Sequence, residues 1–384
     1  MSLFSQLKRD MRSLVQGIFG DKSAPFDDKQ KAGSSTGLKP KHGGRMLTVK
    51  EVIKETADAV SVVLADPSGA PISFEAGQFF TLVLRIGKKE IKRAYSASSP
   101  AQETGEVRLT IKEVPGGQAS PFIVRDLAAG YELEVLGPSG HFTVPSGTKR
   151  LVLLGGGSGI TPLLSIAKTR LAAGAKEKID LVFGNRGEKD IIFREELAKL
   201  AAEHPGVLSV RHVLEEGGDV ASRTGRLDQA TVLAELDAIG AFEGEEACFF
   251  VCGPLGMMDE ARAALLSRGV PAARLKEERF VSIADGQSTA EESSESQEVG
   301  FIILGTKKSV FVRPGQTILE AGLDEGLELP NSCTVGGCGT CRVKLVSGKV
   351  SMAEPNCLDS DERAQGYVLA CCSKPLSPCV LEVE

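Results

Sequence analysis

The spacing of hydrophobic and polar positions divides the chain into stretches of different period. Residues 1–20 repeat apolar side chains at helical spacing, with basic residues among them, which predicts an amphipathic helix. Residues 21–44 are rich in Gly, Ser, Lys, Asp and Pro and predict a linker. From 45 to 148, short alternating runs separated by turn residues predict a small antiparallel β-barrel. The six predicted strands are Leu47–Ile53, Val60–Ala65, Phe79–Arg85, Lys92–Ala97, Val107–Val114 and Tyr131–Leu136.

The pattern changes between residues 149 and 282, where apolar strands alternate with helical stretches. This alternation predicts βαβ units and a parallel sheet. Residues 283–298 are acidic and rich in Ser, so they predict a flexible linker to a last domain over 299–384. The predicted strands are Arg150–Leu154, Ile179–Phe183, Val207–Leu214 and Cys248–Cys252. The predicted helices begin after Pro162 and cover Phe193–Glu203 and Met257–Leu266.

Composition narrows the class of protein. A chain of 384 residues predicts two or three domains, and a net charge of −6 argues against a nucleic-acid partner. No apolar run approaches the roughly 18 residues that span a membrane. The N-terminal helix could lie on a membrane surface, but its excess of positive charge is small and this is not the favoured interpretation. Nine cysteines fit the reducing cytoplasm.

Four of the cysteines have the spacing C-x4-C-x2-C-x29-C. They are Cys333, Cys338, Cys341 and Cys371, and the first three lie in a glycine-rich stretch. Glycine lets the backbone coil closely around a small metal centre. This is the plant-type spacing for a [2Fe–2S] cluster, which carries one electron at a time. The sequence therefore predicts an electron-transfer protein.

Other interpretations of these cysteines are weaker. A zinc site usually has two C-x2-C pairs, and only one is present. Disulfides are disfavoured because the number of cysteines is odd. The fourth ligand is open from spacing alone, since Cys357, Cys372 and Cys379 are also near. The stretch Gly366-Tyr-Val-Leu-Ala-Cys371 resembles the plant-type ferredoxin domain, and this favours Cys371.

Two motifs in the barrel region suit a phosphate-containing cofactor. Arg93-Ala-Tyr-Ser96 lies on a predicted strand, where Arg and Tyr alternate. In Pro115-Gly-Gly-Gln-Ala-Ser-Pro-Phe122, two glycines precede Ser120 and Pro121, which predict a helix N-cap and first turn. A helix N-terminus beside glycines favours an anion such as a flavin diphosphate.

Two further motifs lie at predicted strand ends of the α/β region. Gly155-Gly-Gly-Ser-Gly-Ile-Thr-Pro162 joins a strand to a helix and predicts a phosphate-binding loop, although it is not G-x-G-x-x-G. The next strand ends at Gly184-Asn-Arg186, without the acidic residue that binds a ribose. Cys252-Gly-Pro254 ends another strand at the edge where ligands bind.

In this order, the motifs resemble those of the ferredoxin–NAD(P)⁺ reductase superfamily. With the cysteine-rich domain, the chain resembles the reductase components of multicomponent oxygenases, of the phenylacetyl-CoA epoxidase and ketosteroid hydroxylase types. The resemblance implies an antiparallel β-barrel flavin domain, an α/β parallel-sheet nucleotide domain and a β-grasp (α+β) ferredoxin domain. It also implies FAD rather than FMN, a [2Fe–2S] cluster and NAD(P)H as substrate.

The resemblance assigns roles residue by residue. Arg93 would bind the flavin phosphates, Tyr95 would lie on the isoalloxazine ring, and Ser96 near its N5. Cys252 would lie near the nicotinamide, so Ser96 and Cys252 are the expected catalytic residues. Further cofactor-binding residues are expected at Gly116, Gly117, Ser120, Gly156, Ser158, Gly159, Thr161, Gly253, Pro254 and Phe280. Glu278 falls at an acidic position of the family, but the preceding Lys276-Glu277 departs from the commoner pattern.

The implied activity is electron transfer from NAD(P)H through FAD to the cluster, and then to an oxygenase, hydroxylase or desaturase. Arg186 could pair with the 2′-phosphate of NADPH. Glu188 and Asp190 are close and would repel that phosphate, so the choice of nucleotide stays open. The alternative function is a redox-sensing interaction protein whose cluster state controls partner binding.

Overall fold

The computed structural model describes residues 40–383, apart from 88, 103–104, 245, 281–290, 355 and 359. The predicted N-terminal helix and nearly all of the first linker lie outside the described residues, as does much of the acidic linker. Within the described part, no helix is both long and apolar enough to cross a membrane.

The first sheet is a barrel of antiparallel strands, as predicted. Its strands are β1 Arg45–Thr56, β2 Ala59–Ala65, β3 Phe79–Ile86, β4 Lys89–Ser96, β5 Glu106–Lys112 and β6 Glu132–Ser139. They pair in the order β4-β3-β6-β1-β2-β5. The two edge strands then meet, because Ala97 bridges Leu109 and the Ser98 N–H donates to the Arg108 carbonyl at 2.8 Å. This closes the barrel around a core that includes Leu82.

One short helix, α1 Ala119–Arg125, packs on the barrel through Phe122 and Ile123. The prediction that Ser120 is its N-cap is wrong, because the helix begins at Ala119 and its N-cap is Gln118. The Ser120 hydroxyl instead accepts a hydrogen bond of 3.0 Å from the Val114 N–H. Ser120 therefore holds the preceding glycine turn against the helix.

The second sheet is fully parallel and has helices on both faces. Its strands β7 and β11 are buried along their whole length, which explains their continuous apolar sequence. The order is β10-β9-β8-β7-β11-β12. Strands are β7 Arg150–Gly156, β8 Lys178–Asn185, β9 Leu208–Leu214, β10 Ala221–Thr224, β11 Ala247–Gly253 and β12 Leu275–Arg279. Helices are α2 Ile160–Ala172, α3 Arg194–Glu203, α4 Gln229–Ala238 and α5 Leu255–Ser267, with short 3₁₀ turns at Gly157–Gly159, Glu188–Asp190 and Ala272–Arg274.

The third sheet has the β-grasp arrangement that the resemblance implied. Its central strands β13 and β19 are parallel, and the order is β14-β13-β19-β15-β17. Its first strand begins at Gln297, so the last two residues of the predicted linker belong to the sheet. Its strands are β13 Gln297–Ile303, β14 Thr306–Val312, β15 Arg342–Ser347, β17 Tyr367–Leu369 and β19 Cys379–Val383, and the strands β16 Val350–Met352 and β18 Ser373–Pro375 form a separate two-stranded sheet. The helices are α6 Ile318–Asp324 and α7 Ser360–Ala364.

Candidate functional site

A cavity of about 1120 Å³ lies where the three sheets meet. Its wall combines the barrel, the carboxyl end of the parallel sheet and the cysteine loop, which we define as residues 331–341. Small-molecule sites usually measure about 300–1,000 Å³, so this volume suits a large cofactor. The residues predicted for cofactor binding that line it are Arg93, Tyr95, Ser96, Gly116, Gly117, Ser120, Ser158, Thr161 and Phe280.

Strand β4 and the turn before α1 form the barrel side of the cavity. Ser96 is buried, and half-buried Tyr95 packs against the barrel core, where burial raises the pKa of its phenol. At the turn, Gly116 has φ +78° and open space around the position that a Cβ would take. A phosphate group could therefore approach the backbone there closely, which fits the predicted diphosphate contact.

The parallel sheet supplies a carboxyl group to the same side of the cavity. The Ser96 Oγ donates a hydrogen bond of 2.8 Å to the Glu278 Oε2. Burial raises the pKa of Glu278 to about 8, although the hydrogen bond from Ser96 opposes this. Glu278 therefore holds a proton at neutral pH. The sequence alone gives this residue no firm role, because it lies in a run of charged residues.

Cys252 lies behind this pair. It is opposite Glu278 in the register of β11 and β12. Its side chain is fully buried and is not part of the cavity wall. Burial, and then the charge of Glu278, raise the pKa of its thiol well above the usual range. In this structure Cys252 thus lies next to Glu278 in the interior of the sheet.

The glycines of the phosphate-binding loop are explained by close packing. A Cβ on Gly159 would lie 2.1 Å from the Cys252 carbonyl oxygen, and one on Gly156 would lie 2.6 Å from the Met257 Sδ. The loop therefore sits directly on the end of β11. Of the residues predicted in this region, Ser158 and Thr161 line the cavity, whereas Gly156, Gly159, Gly253 and Pro254 are not part of its wall.

The cysteine loop brings together the four predicted ligands in two pairs. Cys333 interacts most strongly with Cys338, and Cys341 with Cys371. Within the described residues, no three His, Cys, Asp or Glu side chains surround one point, as a mononuclear ion would require. Two pairs suit a binuclear cluster, in which each iron takes two protein ligands.

The neighbouring Cys372 is placed differently from Cys371. The Gly336 N–H donates to the Cys371 Sγ at 3.1 Å, and Gly336 has φ +72°. The Cys372 Sγ instead donates to the Leu369 carbonyl oxygen at 3.7 Å. All nine cysteines are free thiols. Cys371 as the fourth ligand stays a prediction.

The ferredoxin domain is docked against the other two domains, through the cysteine loop on the barrel and through α7 on the parallel-sheet domain. The hydroxyls of Thr81 in the barrel and Ser332 share a hydrogen bond of 2.5 Å, and both residues are buried. Arg262 of α5 donates to Asp361 of α7 at 2.6 Å. As a result, Cys338 lines the same cavity as Ser96.

Arg186 lies away from this cavity, at the carboxyl end of β8. Its Nη2 is 2.6 Å from the Asp190 Oδ1 and 3.6 Å from the Asp58 Oδ2. The guanidinium is therefore already bound to carboxylates.

Comparison with known proteins agrees with this architecture. Three family models match the chain: an oxidoreductase FAD-binding domain at residues 46–144, an oxidoreductase NAD-binding domain at 153–263, and a 2Fe-2S iron-sulfur cluster binding domain at 301–376. The ferredoxin reductase component of 3-ketosteroid-9-alpha-monooxygenase from Rhodococcus rhodochrous is 34% identical over 88% of this chain and 96% of its own length. The chain belongs to this family of oxygenase reductase components.

The chain is also similar to another member of the family and to a solved structure. One subunit of the 1,2-phenylacetyl-CoA epoxidase from Escherichia coli K12 is 32% identical over 86% of this chain and 95% of its own length. The structure of phthalate dioxygenase reductase has a TM-score of 0.59 and 25% identity, covering 89% of this chain and 98% of that protein. As a member of the oxygenase reductase family, the chain is an oxidoreductase with sites for FAD, NAD(P)H and a [2Fe–2S] cluster.

Proposed function

We propose that the cavity between the three domains is the place where this reductase passes electrons from NAD(P)H to its cluster, for use by an oxygenase, hydroxylase or desaturase in another chain. The observation that supports this is the position of Ser96 and Cys338 in the wall of one cavity. FAD, when bound, takes two electrons as a hydride and releases them singly. A carrier with these properties is needed between a nicotinamide and an iron–sulfur cluster.

The barrel residues bind and orient the flavin in this proposal. The guanidinium of Arg93 neutralises phosphate charge, and the glycine turn at Gly116 and Gly117 admits the diphosphate beside Ser120. Tyr95 presents its ring to the flavin from a position packed on the barrel core. Ser158 and Thr161 face the nucleotide from the opposite side of the cavity.

Ser96 and Glu278 control a proton in this proposal. Glu278 is protonated at neutral pH because it is buried, and the Ser96 hydroxyl connects its carboxyl group to the cavity. The two residues can therefore supply or store a proton beside the reacting ring while water is excluded. The catalytic role of Cys252, expected from the family, stays a prediction, as does the contact of Phe280 with the flavin.

Four thiolates, Cys333, Cys338, Cys341 and Cys371, would hold the cluster. The N–H groups of the glycine-rich loop, such as that of Gly336, stabilise the negative charge on the sulfur atoms. The domain bounds 45–148, 149–282 and 299–384 stay predictions, except that Gln297 and Glu298 at the end of the predicted linker 283–298 belong to β13 of the ferredoxin domain. We also propose a cytoplasmic location, where nine free thiols stay reduced.

The test uses the purified full-length protein with its flavin and cluster. We expect about two iron atoms and two acid-labile sulfides per chain, and bleaching of the flavin followed by the cluster when NADH or NADPH is added. Cys338→Ser should keep flavin reduction but lose most of the cytochrome c reduction, whereas the matched variant Cys372→Ser should keep both. Undiminished cytochrome c reduction by Cys338→Ser would contradict a relay through the cluster.

A further inference from the structure

The end of β8 is the part of the nucleotide site that meets the adenosine ribose. In a parallel sheet with a phosphate-binding loop after one strand, the ribose lies over the end of the adjacent strand, where an acidic residue selects NAD and an arginine selects NADP. Here the loop follows β7, and β8 is its neighbour in the sheet. Residues 185–190 therefore decide between NADH and NADPH, if the nucleotide binds as in the proposed function.

The arginine in this segment is held by carboxylates. Arg186 contacts Asp190 at 2.6 Å and Asp58, which belongs to the barrel, at 3.6 Å. A third carboxylate is close, because the Glu216 Oε2 lies 2.7 Å from the position of a Cβ on Gly187. A 2′-phosphate would have to displace these carboxylates from Arg186 and remain near their charges.

The neighbouring cations are themselves bound to carboxylates, and Lys112 lies 3.6 Å from the Asp58 Oδ2. Arg194 is bound to Glu188 at 2.6 Å, and Glu188 also accepts a hydrogen bond of 3.0 Å from the Val220 N–H. The negative charge of Glu188 is stabilised by these contacts, which lower its pKa, with the Val220 hydrogen bond first. The remaining cation of the turn, Lys189, is exposed and stands between two acidic residues in the sequence.

We propose that this reductase selects NADH over NADPH, and that Asp58 and Asp190 are the specificity-determining residues because they occupy Arg186. The carboxylates accept hydrogen bonds from the ribose hydroxyls of NADH and repel the 2′-phosphate of NADPH. The inference rests on the proposed function, since it concerns the nucleotide that enters the same reaction.

The first measurement is kcat/KM for each nucleotide with cytochrome c as acceptor, on the flavin- and cluster-loaded protein. We expect NADH to be favoured by about tenfold or more, which corresponds to one or two uncompensated surface charges. In the double variant Asp58→Asn, Asp190→Asn, kcat/KM for NADPH should rise by about fivefold or more. Adding Arg186→Ala to the double variant should remove this gain. The control Glu203→Gln, at the far end of α3, changes a similar exposed charge and should leave the preference unchanged.

A binding measurement separates specificity from turnover. Calorimetric titrations use ADP-ribose and 2′-phospho-ADP-ribose, which donate no hydride. The unphosphorylated probe should bind the unaltered protein more tightly, and the difference should shrink in the double variant.

NADPH turnover equal to or above NADH turnover would overturn the proposal. So would a double variant that folds with an unchanged unfolding midpoint and still discriminates as strongly. If neither nucleotide bleaches the flavin, the proposed function itself fails, which is a different result.

Discussion

Ser96 and Glu278 share a hydrogen bond of 2.8 Å although they belong to different sheets and are 182 positions apart in the chain. The bond fixes the end of β4 in the barrel against β12 of the parallel sheet. Both residues line the cavity that also contains Cys338. This partly buried contact thus aligns the flavin side of the site with the nucleotide side.

Replacing Glu278 with Gln should change how stability depends on pH. Burial raises the pKa of Glu278 to about 8 from its ordinary value of 4.5. Between these values the unfolded chain has lost the proton and the folded protein keeps it. The free energy of unfolding therefore falls as pH rises from about 4.5 to about 8, by a few kcal/mol. Glu278→Gln cannot ionise and should lack this fall.

The measurement is urea unfolding of wild type and Glu278→Gln at several pH values, comparing the difference between the two proteins. The control is Glu328→Gln, which changes an exposed carboxylate. Parallel pH dependences for wild type and Glu278→Gln would show that Glu278 does not retain its proton in the folded state.

Ser96→Ala should slow flavin reduction by NADH by about tenfold or more, because a positioned hydroxyl is lost beside the reacting ring. The matched control is Ser98→Ala, two residues further along the chain. Ser98 is buried and contacts Thr110 at 2.8 Å, so its loss should cost about 1 kcal/mol of stability without slowing the reaction. Stopped-flow absorbance measures both rates, and equal rates for the two variants would contradict a special role for Ser96.

Gly159→Ala should damage the phosphate-binding loop. The added Cβ would lie 2.1 Å from the Cys252 carbonyl oxygen, so the loop must move away from β11. We expect a higher KM for the nicotinamide nucleotide and a loss of stability of about 1–3 kcal/mol. Gly256→Ala is the control, because nothing lies within 4 Å of its added Cβ and it is the second residue of α5. Steady-state kinetics and thermal unfolding test both variants; a normal KM in Gly159→Ala would refute the tight packing.

Asp361→Lys should weaken docking of the ferredoxin domain. Asp361 accepts a hydrogen bond of 2.6 Å from Arg262, and 54% of the Asp361 side chain is exposed. A partly exposed pair contributes modestly, so we expect electron transfer from flavin to cluster to slow by about two- to fivefold. Hydride transfer from NADH to the flavin should stay unchanged. Added salt should slow the wild type towards the variant.

The control for docking is Asp324→Lys, a charge reversal in the same domain. Asp324 lies 3.8 Å from Arg313 and accepts a hydrogen bond of 2.8 Å from Gln316, both within the domain. Stopped-flow bleaching of the cluster gives the rate for each protein. If Asp324→Lys slows the transfer as much as Asp361→Lys, general charge rather than the Arg262 contact determines docking.

Some elements could not be predicted because their own residues do not indicate them. Strand β12 has the sequence Leu-Lys-Glu-Glu-Arg, and it forms because it pairs with the buried strand β11. Nothing local says that Glu278 rather than Glu277 binds Ser96. The position of each glutamate along β12, and the packing of the barrel on that edge of the sheet, decide which of the two meets Ser96. Strand β10, which is largely exposed, escapes prediction for the same reason.

Short-range patterns were sufficient to predict the iron–sulfur cluster, the antiparallel barrel and the parallel sheet, whereas FAD and the β-grasp domain followed from the resemblance of the motifs to a known family. The spacing of Cys333, Cys338 and Cys341, the glycine-rich loops and the alternating apolar runs act through the local backbone. The place where the cofactor sites meet depends instead on tertiary packing. The contacts Ser96–Glu278 and Thr81–Ser332 join residues far apart in the chain. Their approach results from the packing of whole sheets against one another, which no local pattern records.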